Sequence, residues 1–226
     1  MQAAALYRSS IGKKALMAIT GVIWIGYVVL HMYGNLKVFQ GAEYFNEYAE
    51  GLRHLGAPVF GYLHLLTLAR IILVAALVIH VWAAFVLYQQ AWTARPASYA
   101  SRKIVQANYA ALTMRYGGIL LVLFVLFHLM QLTWGVPGVS SDFIPGDAYH
   151  NVIAAFQAWP VVVVYLLALV ALGFHLFHGT WSMFQTLGLN SREWDASIRG
   201  LAWLVAIVVP VGFAVVPVAV QFGILQ

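Results

Sequence analysis

Cysteine is absent from the 226 residues, and charge is scarce. Without cysteine the chain forms no disulfide, attaches no c-type haem and by itself builds no cysteine-ligated zinc or iron–sulfur centre. Lys, Arg, Asp and Glu make up 8% of the sequence, against roughly a quarter in a soluble domain. Twelve basic and seven acidic residues leave a net charge of +5, which is a topology signal rather than a nucleic-acid-binding patch. With 63% hydrophobic residues and a mean hydropathy of +0.84, disorder and collagen are excluded too. What remains is an all-α integral membrane protein of one domain, 1–226, whose chemistry lies in eight histidines.

A bilayer-spanning helix needs roughly 20 mostly apolar residues. Five stretches qualify, at about 15–36, 65–88, 116–135, 157–181 and 200–223. No signal peptide is expected, because the first apolar run is too long and lacks a cleavage site. Pro160, Pro210 and Pro217 fall inside or at the start of spans, where proline is tolerated. On one side lie Arg8, Lys13, Lys14, Arg95, Arg102, Lys103, Arg115, Arg192 and Arg199. The other side holds Lys37, Arg53 and Arg70 beside Glu43, Glu47, Glu50, Asp142 and Asp147. An excess of Lys and Arg marks the cytoplasmic side, so a cytoplasmic N-terminus and an external C-terminus are expected. The longest outer link, about 37–64, contains GAEYFNEYAEGLRHL, which reads as a short amphipathic helix with Tyr44, Phe45, Tyr48, Leu52 and Leu55 on one side.

Ionisable residues within spans are costly and point to function. His31, His80, His128 and His175 fall inside the first four spans, one in each, and His178 lies a turn beyond His175. His54, His64 and His150 fall at or outside the edges. At 1.5 Å of rise per residue, His31 and His128 lie roughly 7–10 Å from the outer ends of their spans. His80 and His175 lie roughly 9–12 Å from the inner ends of theirs, so the two levels differ by roughly 10 Å. Two imidazoles at one depth on different helices are what a six-coordinate b-type haem needs. Depth therefore sorts the four into an outer pair, His31 with His128, and an inner pair, His80 with His175. The alternative for any single histidine is a buried imidazole bonded to a carbonyl or a hydroxyl. The cytochrome b of the quinol–cytochrome c reductases is excluded, because it carries two histidines about four turns apart on each of two helices.

Several strings carry a resemblance across almost the whole chain. RSSIGKKALMAITG opens the first span and VVLHMYGNLKVF surrounds His31, with GAEYFN following. IHVWAAF surrounds His80, FHLMQLTW surrounds His128, and FHLFHGTWSMFQTLG surrounds His175. These resemble the single-subunit, five-helix diheme membrane anchor of succinate dehydrogenase and fumarate reductase. The resemblance implies two haem b groups and quinone, with menaquinone the usual partner of diheme anchors. FAD and iron–sulfur clusters would reside only in a flavoprotein subunit and an iron–sulfur subunit docked on the cytoplasmic face. It also implies residence in a bacterial cytoplasmic (inner) membrane as a multi-pass protein. The chain would be a subunit of succinate:quinone oxidoreductase, not catalytic toward succinate on its own. His80 and His175 would then hold the haem proximal to the iron–sulfur subunit, and His31 and His128 the distal one.

Haem propionates need cations or hydroxyl donors near the membrane surfaces. Arg70, near the outer interface, and His178 are candidates for such contacts. Quinone needs an apolar slot with one or two proton donors. Ser9, Ser10, Lys13, Trp92, Arg115 and Trp181 qualify at the inner edge, and Glu47 and Glu50 at the outer. Diheme relatives carry a histidine where Glu50 falls, so no role is carried over to it. Two other readings stay open: a haem-free anchor with a quinone pocket, and a diheme cytochrome b of another membrane dehydrogenase. A transporter is disfavoured, since no paired inverted halves are visible.

Overall fold

The computed structural model describes residues 9–94, 106–140 and 142–226, with the side chains of 106–113 excepted. The chain runs as α1 (Ser10–Leu36), a short 3-10 turn (Lys37–Gln40), α2 (Ala42–Gly51), a second such turn (Leu52–His54) and α3 (His64–Thr93). It continues as α4 (Gln106–Leu132), α5 (Ala148–Gln157), α6 (Trp159–Thr186) and α7 (Asp195–Gln221). No strand forms among the described residues; Pro137 and Ser140 make one isolated bridge. Five helices are long and apolar enough to cross a membrane: α1 with its turn, α3, α4 from Met114, α6 and α7. Arg95, Arg102 and Lys103, expected to carry the basic second link, lie outside the described residues, as does Arg8.

Local chemistry explains the helix starts. The Ser9 side chain accepts the Gly12 N–H at 3.0 Å, capping α1. The Asp147 carboxylate accepts the His150 N–H at 2.9 Å, capping α5. Pro160 occupies the first turn of α6, where its missing N–H costs nothing. The helices outrun the apolar stretches at one end of the bundle: α1 begins at Ser10, α3 continues to Thr93 and α6 to Thr186. There the Thr93 hydroxyl donates to the Gln89 carbonyl at 3.1 Å, closing the last turn of α3.

α6 is the hub. It packs against α7, α4 and α1, while α1 also packs against α3 and α7. Small residues allow the closest approach: a Cβ on Gly173 would stand 3.1 Å from the Ala206 carbonyl of α7. Neither α1 with α4 nor α3 with α6 forms an extended backbone-to-backbone interface among the described residues.

Polar clasps join elements at both ends. At the end of the bundle that carries α2 and α5, Asn46 of α2 donates to Asp147 at 3.0 Å and accepts the Tyr149 N–H at 2.9 Å, holding α2 on α5. At the other end Asp195 accepts from Trp181 at 3.2 Å, from Asn190 at 2.9 Å and from Arg199 at 2.8 Å. The end with α2 and α5 is also the best packed: Val38, Phe45, Val152, Ile153, Phe156, Val162 and Tyr165 share one core with the end of α7. Of the expected apolar side of α2, only Phe45 is buried; Tyr44 and Leu55 stay exposed, and Tyr48 packs against Gly34. A second outer helix, α5, covers the rest of that surface.

Candidate haem sites

The four histidines on four different helices meet as two pairs. His31 of α1 and His128 of α4 have ring centroids 5.9 Å apart at an interplanar angle of 83°. His80 of α3 and His175 of α6 lie 6.1 Å apart at 50°. Each pair faces across helices that do not pack closely on each other. The imidazoles therefore meet between helices whose backbones stay apart.

Both levels can be measured along the helices. Thr20 of α1 touches His80 at 3.1 Å and so marks the inner level. From Thr20 to His31 the axial rise is roughly 16 Å. Tyr165 of α6 touches His128 at 3.2 Å and marks the outer level. From Tyr165 to His175 the rise is roughly 15 Å. This exceeds the roughly 10 Å expected from the edges of the apolar runs. The helices extend beyond those edges, so the edges were poor depth marks.

Each pair has a distinct surround. On the outer side Tyr27 stacks on His31, with centroids 5.3 Å apart and planes within 11°. Phe213 lies 5.6 Å from His31, and Phe124 lies 6.0 Å from His128. Arg70 places its charge within reach of Tyr27. On the inner side glycine leaves space beside each ring. A Cβ on Gly21 would sit 3.7 Å from His80 Cε1, and one on Gly118 would sit 3.9 Å from His175 Cε1. Nδ1 of His175 is buried with no hydrogen-bond partner among the described residues, as are Trp24 Nε1 and Thr180 Oγ1. His178 is half-buried and lies one turn beyond His175 on α6.

The family is decided by residues 94–214, which match the transmembrane subunit of succinate dehydrogenase and fumarate reductase. The chain belongs to this family. The matched segment covers most of the last three spans, and with them His128 and His175; His31 and His80 lie before it. No curated protein and no solved structure matches the chain.

For a member of this family the fit to haem can be tested on the donor sets. Among the described residues no group of three or more His, Asp or Glu side chains could hold another metal ion. Two imidazoles with nothing else are a donor set for a macrocycle that supplies the remaining ligands itself.

The other candidates are dispersed. Ser9 serves as the cap of α1 and Ser10 is exposed. Lys13 is 6% exposed despite its charge. The Arg115 guanidinium lies 4.2 Å from the centre of the Tyr88 ring, tying the start of α4 to the end of α3. Trp92 is exposed. The Trp181 N–H is already used by Asp195, and Arg199 covers its ring at 4.6 Å. Glu50 pairs with Arg53 and His54, while Glu47 is exposed. Among the described residues, the contacts given for Trp92, Arg115, Trp181, Glu47 and Glu50 include none to a histidine pair. Tyr165 and Thr20 each touch a paired histidine and Gln131 touches Tyr165, yet no sequence motif marks them. The available signal is a phenol and a hydroxyl inside otherwise apolar helical runs at the depth of a histidine.

Proposed function

We propose that this chain is a diheme cytochrome b anchor, carrying electrons from the iron–sulfur subunit of a succinate dehydrogenase to quinone. His31 and His128 would hold an outer haem b, and His80 and His175 an inner one. The observation that carries this reading is the meeting of four helices' histidines as two pairs, with ring centroids 5.9 and 6.1 Å apart. When bound, each haem supplies a one-electron couple within the hydrocarbon layer.

The remaining residues have supporting roles. Gly21 and Gly118 keep the inner level open beside the rings. Tyr27 and Phe213 flank His31 and exclude water from the outer level. Arg70 is suited to outer propionates and His178 to inner ones. The N-terminal end of α1 and the basic second and fourth links face the cytoplasm and dock the iron–sulfur and flavoprotein subunits, with the C-terminus outside. Quinone, most simply menaquinone, accepts the electrons near a membrane surface. Ser10 and Trp181 at the inner edge and Glu50 at the outer are its candidate contacts. The membrane is then a bacterial cytoplasmic membrane.

Purification through this chain from native membranes tests the proposal. A covalent-flavin polypeptide and an iron–sulfur polypeptide should accompany it, and the reduced-minus-oxidised spectrum should show a b-type α-band. Partners without an α-band would mean a haem-free anchor. An α-band with other partners would mean another membrane dehydrogenase.

A further inference from the structure

A count of hydroxyl protons at the two levels assigns the tautomer of one histidine in each pair. Thr20 has one hydroxyl proton. Its Oγ1 lies 2.8 Å from the Leu16 carbonyl and 3.1 Å from the Met17 carbonyl, both of which only accept. That proton is therefore committed to the α1 backbone. Its contact with His80 Nδ1 at 3.1 Å can then only be an N–H donated by the imidazole.

The outer level repeats the logic with different residues. The Tyr165 hydroxyl donates to Gln131 Oε1 at 2.9 Å, in a contact buried from both sides. Gln131 is 1% exposed, so water does not compete for that acceptor. His128 Nδ1, at 3.2 Å from the same hydroxyl, must donate to it. In both rings Nδ1 carries the proton and Nε2 keeps its lone pair.

We infer that Thr20 and Tyr165 are positioning residues that fix His80 and His128 in the Nδ1–H form, so that Nε2 of each keeps its lone pair as a ready metal donor. An acceptor behind Nδ1–H also raises the basicity of the ligand and so favours ferric iron. This rests on the diheme reading above. His31 and His175 have no such hydroxyl among the contacts described, so each pair contains one fixed and one adjustable ligand.

The test is a potentiometric titration of the membrane-embedded complex with its soluble subunits attached. Each haem is assigned from a variant lacking one histidine of the other pair. Tyr165→Phe should raise the midpoint potential of the outer haem and leave the inner one unmoved. Thr20→Val should do the reverse, and Thr20→Ser should restore the wild-type value. The expected size is about tenfold in the reduction equilibrium, or about 59 mV for one electron. Because Tyr165→Phe also strands the buried Gln131, the Thr20 series decides the matter if that variant does not assemble. Two haems with potentials unmoved in Thr20→Val, or moved equally at both levels, would overturn this inference alone. A wild-type complex without haem would overturn the diheme reading and this inference with it.

Discussion

Thr20 and His80 stand 60 positions apart in the chain, and their side chains meet at 3.1 Å. This contact ties the inner half of α1 to the inner half of α3 and sets the register of both. His31 follows on α1 at the outer level, and the outer contact between His128 and Tyr165 sets α4 against α6 in the same way. Two polar contacts thus hold the two histidine levels at their depths. Apolar packing against lipid, which is largely indifferent to register, could not do so.

The inner level should respond to bulk at glycine. A Cβ on Gly118 would make ordinary contact with His175, at 3.9 Å from Cε1. Gly118→Ala is therefore expected to keep both haems. Gly118→Leu extends a branched side chain into the space beside the ring and is expected to lose the inner haem while keeping the outer. Haem content of the purified complex checks this, and retention of both haems in the leucine variant would refute it.

The outer clasp should be sensitive to acid. The Asp147 carboxyl is held below its ordinary value of 3.8, chiefly by the His150 N–H and then by Asn46. A depressed carboxyl contributes stability that is fully present above its unfolded value and lost as pH falls through the folded one. The contact between α2 and α5 is therefore expected to be pH-independent from neutrality to about pH 5 and to loosen below the ordinary carboxyl range. Asp147→Ala should loosen it at every pH, by about 1 kcal/mol for a lost helix cap. Protease sensitivity of the 42–51 segment as a function of pH measures both effects.

The clasp at the opposite end separates charge from hydrogen bonding. Asp195→Asn keeps an oxygen for Trp181 and Asn190 but loses the ion pair with Arg199. Asp195→Ala loses all three. The melting temperature of the complex is expected to fall further for the alanine variant than for the asparagine one. If the two fall equally, the ion pair dominates and the hydrogen bonds do little.

The pairing of His31 with His128 and of His80 with His175 could be read from sequence, because in a membrane helix residue number converts directly into depth. The distance between levels could not. Hydropathy marks where apolar residues stop, whereas α1, α3 and α6 continue through polar turns to Ser10, Thr93 and Thr186. The outer helix α5 was hidden because DAYHNVIAAFQ runs into the apolar stretch of α6, broken only at Trp159–Pro160. Tyr165 and Gln131 escaped notice for a related reason. Within VVVVYLLALV a tyrosine reads as one more aromatic, and only its phenol contact with His128 distinguishes it.

Sidedness is open to a charge test. Reversal of Arg102 and Lys103 is expected to release the soluble subunits from membranes more readily than neutralising Glu43, Glu47 and Asp142. Sedimentation of succinate dehydrogenase activity with membranes reads the outcome. Greater release by the acidic-residue variant would invert the orientation.

The most direct measurement is the haem-to-chain ratio of the purified complex, taken for the wild type and for His31→Ala, His128→Ala, His80→Ala and His175→Ala. Two haem b per chain are expected in the wild type. Each single variant should lose at least the haem of its own pair, with the other retained where assembly of the two levels is independent. No haem in the wild type, or two low-spin haems retained in any one of the four variants, would contradict the assignment of these imidazoles as paired axial ligands.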